Sequence, residues 1–425
     1  MVKKCFLILV VLLVPLLFIN SSYAYAQRSY SFDLVENVYD TESDVREFIS
    51  YCGGNRSPNS KGEELAIEYI TNKLQTYGYE AFYEDGYVEE FEFIYGFSSK
   101  ITGYNVAGIK RNNSSDKYVI IGAHYDTVNG NGDFEGVYDN ASGVIAMLNI
   151  AKNVYSLSLP YNIVFVSFGA EEYGLIGSQY FVQNMDIKAE NILLYVNLDS
   201  IGCGDEMYIY TDEVSTIHED YIYSLAKQYS QNFEKESINL PPDIKNVNYS
   251  YGYGAYDYHH MGLSSDNVSF LSQGINSVFF FSGKWKNGTI GIQESSVNDN
   301  IYHTTGDNIE NVLVKYPQFS NRIALVCDVV TNMLIQDTFV ATMEESYNNK
   351  SSYMFFVNKT YPMIFLCVVG VIGLIVINLT KKKNITMSSR DNMQYEKLKE
   401  AVLNNTLDKY KQENKDDIYK PKLDD

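Results

Sequence analysis

Cysteine is scarce in this chain, with five among 425 residues. Between two long apolar runs near the ends only Cys52, Cys203 and Cys327 remain, an odd number without metal-ligand spacing. At most one disulfide can form there, so the fold has to rest on its core. Positive charge is also short. Lysine and arginine number 33 against 53 aspartates and glutamates, a net charge of −20. A surface of that sign repels a phosphate backbone, which excludes nucleic acid as a partner and leaves solubility as the main consequence. No repeat of fixed period runs through the sequence. What is present in quantity is apolar character, 45% of residues, enough for one large globular domain or two smaller ones and too much for general disorder.

The two terminal apolar runs set the expected organisation. Residues 1–26 read as a signal peptide: Lys3 and Lys4, an apolar stretch from Cys5 to Ile19, then Ala24-Tyr25-Ala26 as a small-residue cleavage site. The alternative is an uncleaved anchor. "YPMIFLCVVGVIGLIVINLT" (361–380) carries no charge and has the length of about 20 residues that a bilayer-crossing helix needs. Lys381, Lys382 and Lys383 follow and place that end in the cytoplasm by the positive-inside tendency. The expectation is a single-pass protein of the cell membrane. Its body, 27–339, is extracellular; 340–360 is a stalk, 361–380 the transmembrane helix and 381–425 a cytoplasmic tail.

Within the body, four apolar, β-branched runs end in acidic or small residues: "YVIIGAHYD" (118–126), "NIVFVSFGAEE" (162–172), "NILLYVNLD" (191–199) and "NSVFFFSG" (276–283). Continuous apolar runs of this length predict strands buried on both faces, as in a parallel sheet. Helical periodicity lies between and around them, over 60–79 with Gly78 as a stop, over 140–157 and over 314–336. The alternation predicts an α/β fold with a doubly wound, largely parallel sheet flanked by helices, in which sites form beyond the carboxyl ends of strands. Residues 245–258, rich in tyrosine and glycine, read either as a flexible surface loop or as a substrate-facing lip.

The polar residues gather at those strand ends. His124 and Asp126, two apart, point to the same side of a strand, so Asp126 is placed to hold the second ring nitrogen of a ligating His124. Asp139 precedes Asn140-Ala-Ser-Gly at a helix start, where an N-cap is the plainer reading, but an N-cap does not explain the nearby His-x-Asp. Adjacent Glu171 and Glu172 repel each other unless a cation or a proton separates their roles. With Glu172 on a metal, Glu171 is free to act as a base. Asp199 closes the third run. Tyr302-His303 lies four residues before Asp307, which is spaced to orient His303 as Asp126 would orient His124. Two histidines and three carboxylates make a reasonable shell for two zinc ions sharing one carboxylate.

In order, HYD, YDNASG, FGAEEYGLIGS, NLDSIG, SSDNVSF and YHTTGD, with "GNRSPNSKGEELAIEYI" upstream, resemble the M28 family of metallopeptidases, the di-zinc aminopeptidases. The resemblance runs from about Asp33 to about Ile335. It implies two Zn2+ ions, one held by His124 and Asp199 and the other by Glu172 and His303, with Asp139 bridging. Glu171 would be the general base, Asp126 would support His124, and the Asp139–Asn140 peptide would be cis. The implied reaction is removal of N-terminal residues from peptides with a free N-terminus. Tyr302 would bond substrate or the developing oxyanion, or simply pack its ring. Asn267 stands where family members often have histidine after Ser265-Asp266, and His259 and His260 read as pocket or surface residues.

Two other readings compete. A related carboxypeptidase or glutaminyl cyclase shares the fold, but cyclase-like members use one zinc and a tryptophan-lined pocket, whereas this chain has one tryptophan, Trp285, and an intact DNASG block. A non-catalytic binding module on the same fold would usually have lost ligands, and all five remain.

Overall fold

The computed structural model describes residues 28–96, 100–128, 134–211, 217–240, 265–283, 285–286, 289–290, 301–355, 397 and 400. The expected signal peptide, the segment 245–258, His259, His260 and the expected membrane helix 361–380 lie outside these residues, as does the tail apart from its two isolated positions. The chain divides into two units, 1–351 and 352–425.

In the first unit, α1 (Thr41–Cys52) and α2 (Lys61–Tyr77) precede β1 (Glu80–Ala81), β2 (Val88–Phe93), β3 (Ile101–Lys110) and β4 (Tyr118–His124). After an irregular turn at Val137–Ala141 come α3 (Ser142–Val154), β5 (Asn162–Phe168), α4 (Ile176–Asn184), β6 (Ile192–Leu198) and β7 (Glu206–Thr211). Then follow α5 (Ile217–Asn232), β8 (Ile238–Asn239), α6 (Asn267–Leu271), β9 (Ser277–Gly283), α7 (Ile309–Lys315), α8 (Phe319–Leu334) and α9 (Phe339–Phe355). Nine strands form one sheet in the order β1-β3-β5-β4-β6-β9-β7-β8, with β2 also on β3.

The four runs singled out in the sequence are the four central strands, and they are parallel to one another: β5 with β4, β4 with β6, β6 with β9. Their side chains alternate between two cores. Val119, Ile121, Ala123, Ile163, Phe165, Val196 and Leu198 face one, with α1, α2, α3, α5 and α8; Ile120, Val164, Val166, Phe168 and Tyr195 face the other with Phe181 of α4 and Phe270 of α6. Both faces are covered, which is why the runs show no polar alternation. Outside the centre the expected largely parallel sheet gives way to a mixed one: β3 is antiparallel to β5 and β7 antiparallel to β9. Those flanking strands carry glycine and glutamate, as in "VEEFEF" and "ITGYNVAGIK", and gave no continuous apolar signal.

The three expected helices are present. In α2, Ser60 is the N-cap and its Oγ accepts the backbone N–H of Glu63 at 3.0 Å; the Glu63 carboxylate reaches back to the N–H of Asn59 at 2.6 Å. The first bond satisfies one of the donors a helix start leaves open, and the second ties the helix to the turn before it. Gly78, in the left-handed region at φ 97°, ends it. Helix α3 is almost wholly buried, packing against β4, β5 and β6 on one side and α8 on the other.

Helix α8 carries a polar stripe, Asp328, Asn332 and Gln336 just beyond its end, at four-residue spacing. The stripe binds the extended segment ahead of α1. Asn332 accepts the N–H of Val35 at 2.8 Å and donates to its carbonyl at 2.7 Å, Gln336 exchanges two bonds with the backbone of Asp33, and Asp328 accepts from Asn37, Tyr39 and Tyr229. The expected stalk from 340 begins instead as helix α9, with Phe339, Met343 and Ser346 fully buried, so the body reaches past 339. Among the described residues no single helix is long and apolar enough to cross a membrane. A bent pair, Phe319–Leu334 with Phe339–Asn349 at 88°, passes by length and composition, but α8 is a core helix.

Candidate metal centre

Three adjacent parallel strands deliver the site from their carboxyl ends, the place where open α/β sheets bind ligands. His124 is the last residue of β4, Glu171 and Glu172 follow β5 by three and four residues, and Asp199 follows β6 by one. Asp139 comes from the irregular turn before α3, and His303 from the segment before α7.

His124 is buried, with Nε2 at 3.2 Å from Asp139 Oδ1 and 3.3 Å from Asp199 Oδ1. His303 Nε2 lies 3.0 Å from Asp139 Oδ2 and 3.3 Å from Glu172 Oε2. One donor atom from each of His124, Asp139 and Asp199 falls within 4.8 Å of the others, and the same holds for Asp139, Glu172 and His303. Asp139 belongs to both groups, one oxygen toward each histidine. Glu172 Oε1 is buried with no hydrogen-bond partner among the described residues.

The electrostatics are those of crowded carboxylates. Burial, then repulsion from Asp139, pushes Glu172 up to about 7 against the pull of His303. Burial raises Glu171 well above the ordinary carboxylate range, with Glu172, Asp266 and Asp199 adding to it and His124 opposing. For Asp139 burial acts upward too, but hydrogen bonding to His124 and His303 outweighs it and holds the group below its usual value. His303 is pushed up to about 10: burial lowers it, and Asp139 and Glu172 more than reverse that. Imidazole nitrogens and carboxylate oxygens converging on two points, with negative charge in excess, are a donor set for divalent cations.

The supporting residues partly match expectation. Asp126 stands 3.4 Å from His124 Nδ1, on the expected side. It also accepts the backbone N–H of Glu171 on Oδ1 and that of Glu172 on Oδ2, at 3.0 and 3.2 Å. Asn105 closes the base of the same loop, accepting from Gly169 and donating to the carbonyl of Gly177. Asp307 does not orient His303; its carboxylate accepts the N–H groups of Tyr138 and Asp139 at 2.7 and 3.0 Å, fixing the bridging residue from behind. Tyr302 stacks on His303, ring centroids 3.9 Å apart.

The sequence points to a cis peptide at Asn140 but gives its side chain no role. Its peptide with Asp139 is cis, and its buried side chain donates to the carbonyls of His124 and Leu198 while accepting from Gly143 and Ser200. It thereby ties together the ends of β4 and β6 and the start of α3. Ser265, to which its sequence context assigns no role, donates its hydroxyl to Asp199 Oδ2 at 2.7 Å and accepts from Asn197. Asn267 opens α6, buried and a member of neither donor group. Three non-glycine residues in the left-handed region, Ala170, Ser200 and His303, are either at the site or one residue from it, as strained backbone tends to be.

The chain is similar to leupeptin-inactivating enzyme 1 of Streptomyces exfoliatus, 28% identical over 290 residues, covering 65% of this chain and 57% of that protein. It is also similar to aminopeptidase YwaD of Bacillus subtilis, 29% identical over 219 residues, covering 50% and 41% respectively. It thus spans little more than half the length of the first relative and less of the second. Among solved structures, a leucine aminopeptidase precursor from Bacteroides thetaiotaomicron superposes with a TM-score of 0.53 at 18% identity, over 72% of this chain and all of that one. A Porphyromonas gingivalis glutaminyl cyclase gives 0.51 at 18%, over 68% and 95%. Such low identity establishes the shared fold alone. The model of the family described as peptidase family M28 matches residues 105–328, a stretch that exceeds half of the chain and takes in every residue of both donor groups, so the chain belongs to peptidase family M28.

Proposed function

We propose that the protein is a zinc-dependent aminopeptidase that hydrolyses the N-terminal residue from peptides. The observation that carries this is the pair of donor groups joined by Asp139, with the half-buried Glu171 next in sequence to the ligand Glu172. His124, Asp139 and Asp199 would hold one Zn2+, and Asp139, Glu172 and His303 the other. The donors fit: nitrogen and oxygen ligands, three per ion with positions left open, and an unpartnered buried oxygen on Glu172. When bound, the ions polarise the scissile carbonyl and lower the pKa of water toward neutrality.

The chain's own residues do the rest. Glu171, raised in pKa by its surroundings, accepts the proton of the attacking water and passes it to the departing amine. Asp126 keeps Glu171 and Glu172 in register through their backbone N–H groups. Tyr302 holds His303 by stacking on its ring. The clustered carboxylates favour a substrate with a cationic N-terminus. Names of similar proteins, which include aminopeptidases and a zinc metalloprotease, support the reading, and two complete donor groups speak against a one-zinc cyclase. The reading extends to a body outside the cell tethered by residues 361–380, which rests on the sequence.

The test is metal content joined to a substrate panel. The expected result is about two zinc per chain with hydrolysis of amino-acid amides and free-amine peptides. Cleavage confined to N-blocked peptides would remove the exopeptidase assignment, and a metal content near one would reopen the cyclase.

A further inference from the structure

Arg56 has no exposed surface, and among the described residues no carboxylate pairs with it. Its guanidinium instead spends its donors on backbone carbonyls: Nε on Tyr125 at 2.7 Å, Nη1 on Glu135 at 2.5 Å and Nη2 on Gly136 at 3.0 Å. The Arg56 backbone N–H adds a bond to Thr127 Oγ1 at 3.1 Å, and the guanidinium sits 5.2 Å from the ring centroid of Phe48. A buried cation that no carboxylate bonds directly is costly, and the carbonyls it binds show what it secures. Tyr125 follows His124 directly, and Gly136 lies three residues before Asp139. One rigid planar group therefore draws together the two ends of the excursion that separates a terminal ligand from the bridging one. Gly136 is in the left-handed region at φ 53°, and a Cβ there would come within 2.9 Å of Arg56 Nη2, so the fit at that end is close. On the other side, Asp307 fixes the N–H groups of Tyr138 and Asp139.

We propose that Arg56 is a positioning residue of the metal centre, setting the separation of His124 and Asp139 and hence the affinity for the ion that those two would share with Asp199. The proposal rests on the metal-dependent reading. A lysine keeps the charge but offers a point donor that cannot span three carbonyls, so R56K separates charge from geometry. In the full chain, R56K is expected to bind zinc about 10- to 100-fold more weakly than wild type, measured by competition with a chromogenic chelator, with kcat recovering as zinc is raised. An R56K protein with wild-type zinc affinity overturns the proposal, whatever happens to its melting temperature. Should R56K not fold, R56A supplied with methylguanidinium takes its place. Zinc affinity that rises with methylguanidinium supports the role, and wild-type affinity in its absence overturns it. Wild-type protein that binds no zinc overturns the metal-centre reading itself, an outcome distinct from unchanged affinity in the variant.

Discussion

Asp126 holds Glu171 by its backbone: the carboxylate Oδ1 accepts the Glu171 N–H at 3.0 Å, and the same oxygen lies 3.4 Å from Nδ1 of His124. The residue that supports one ligand thus also sets the loop that carries the base and another ligand. D126N should therefore be no milder than D126A, because an amide presents a donor to at least one of the two N–H groups. Both are expected to weaken zinc binding by about 10- to 100-fold in a chelator competition. Wild-type affinity in D126N would show that the charge and the second acceptor are dispensable.

Glu171 contributes to neither donor group, so its carboxylate can be neutralised without removing a ligand. E171Q is expected to keep its zinc and lose about 100- to 10,000-fold in kcat, the range a positioned general base supplies. Metal analysis and steady-state kinetics on one preparation decide it. Full turnover in E171Q would take the base away from this residue.

Gly143 is required by a close approach. A Cβ on it would lie 2.1 Å from the carbonyl oxygen of Leu198 and 2.5 Å from Asn140 Oδ1, so the start of α3 would have to move off the end of β6. Overpacking of this kind costs about 1–3 kcal/mol, and here the opposing atom is backbone, which cannot turn aside. G143A should lower the urea midpoint and reduce zinc affinity with it. A variant matching wild type in both would mean the junction is looser than its geometry.

Glu63 is 2% exposed and pushed up to about 8, by burial first and by the nearby Asp126 charge, against its bond from Asn59. Its folded pKa lies above the unfolded value, so the folded state holds the extra proton. The stability this gives is fully present below the unfolded value of about 4.5 and is lost as pH rises toward about 8. Glutamine keeps the acceptor for Asn59 and does not titrate. The melting temperature of E63Q relative to wild type should therefore rise between about pH 5 and about pH 8. A difference that stays flat or falls over that interval would count against the buried, protonated carboxyl.

What the sequence made legible follows from what burial does to composition. Strands β4, β5, β6 and β9 are covered on both faces, so each reads as an unbroken apolar run, and the residues just past their ends could be collected as ligands. Strands β2 and β7 escaped because partial exposure admits glutamate into them, and β3 because glycine and asparagine interrupt a largely buried run. The ligands were legible because histidines and carboxylates at strand ends are conspicuous. Their supports were not: Asp307 reaches Asp139 across 168 positions and Arg56 reaches Gly136 across 80. Such partners meet only through the fold. Spacing even misled at Asp307, where four residues from His303 looked like a pairing and the carboxylate turned to another loop.

The polar stripe on α8 bears on where this protein can be cut. A fragment trimmed to the family-matched stretch, 105–328, would lose Arg56, both helices before the sheet and α9, and would strip Asp328 of Asn37 and Tyr39. It would also expose the face of α3 that now packs against α1 and α2. Excision at Arg28 and beyond Ser346 keeps these contacts. The shorter piece should be recovered as aggregate and the longer one as folded protein, so that the unit of folding is wider than the unit of recognisable ancestry.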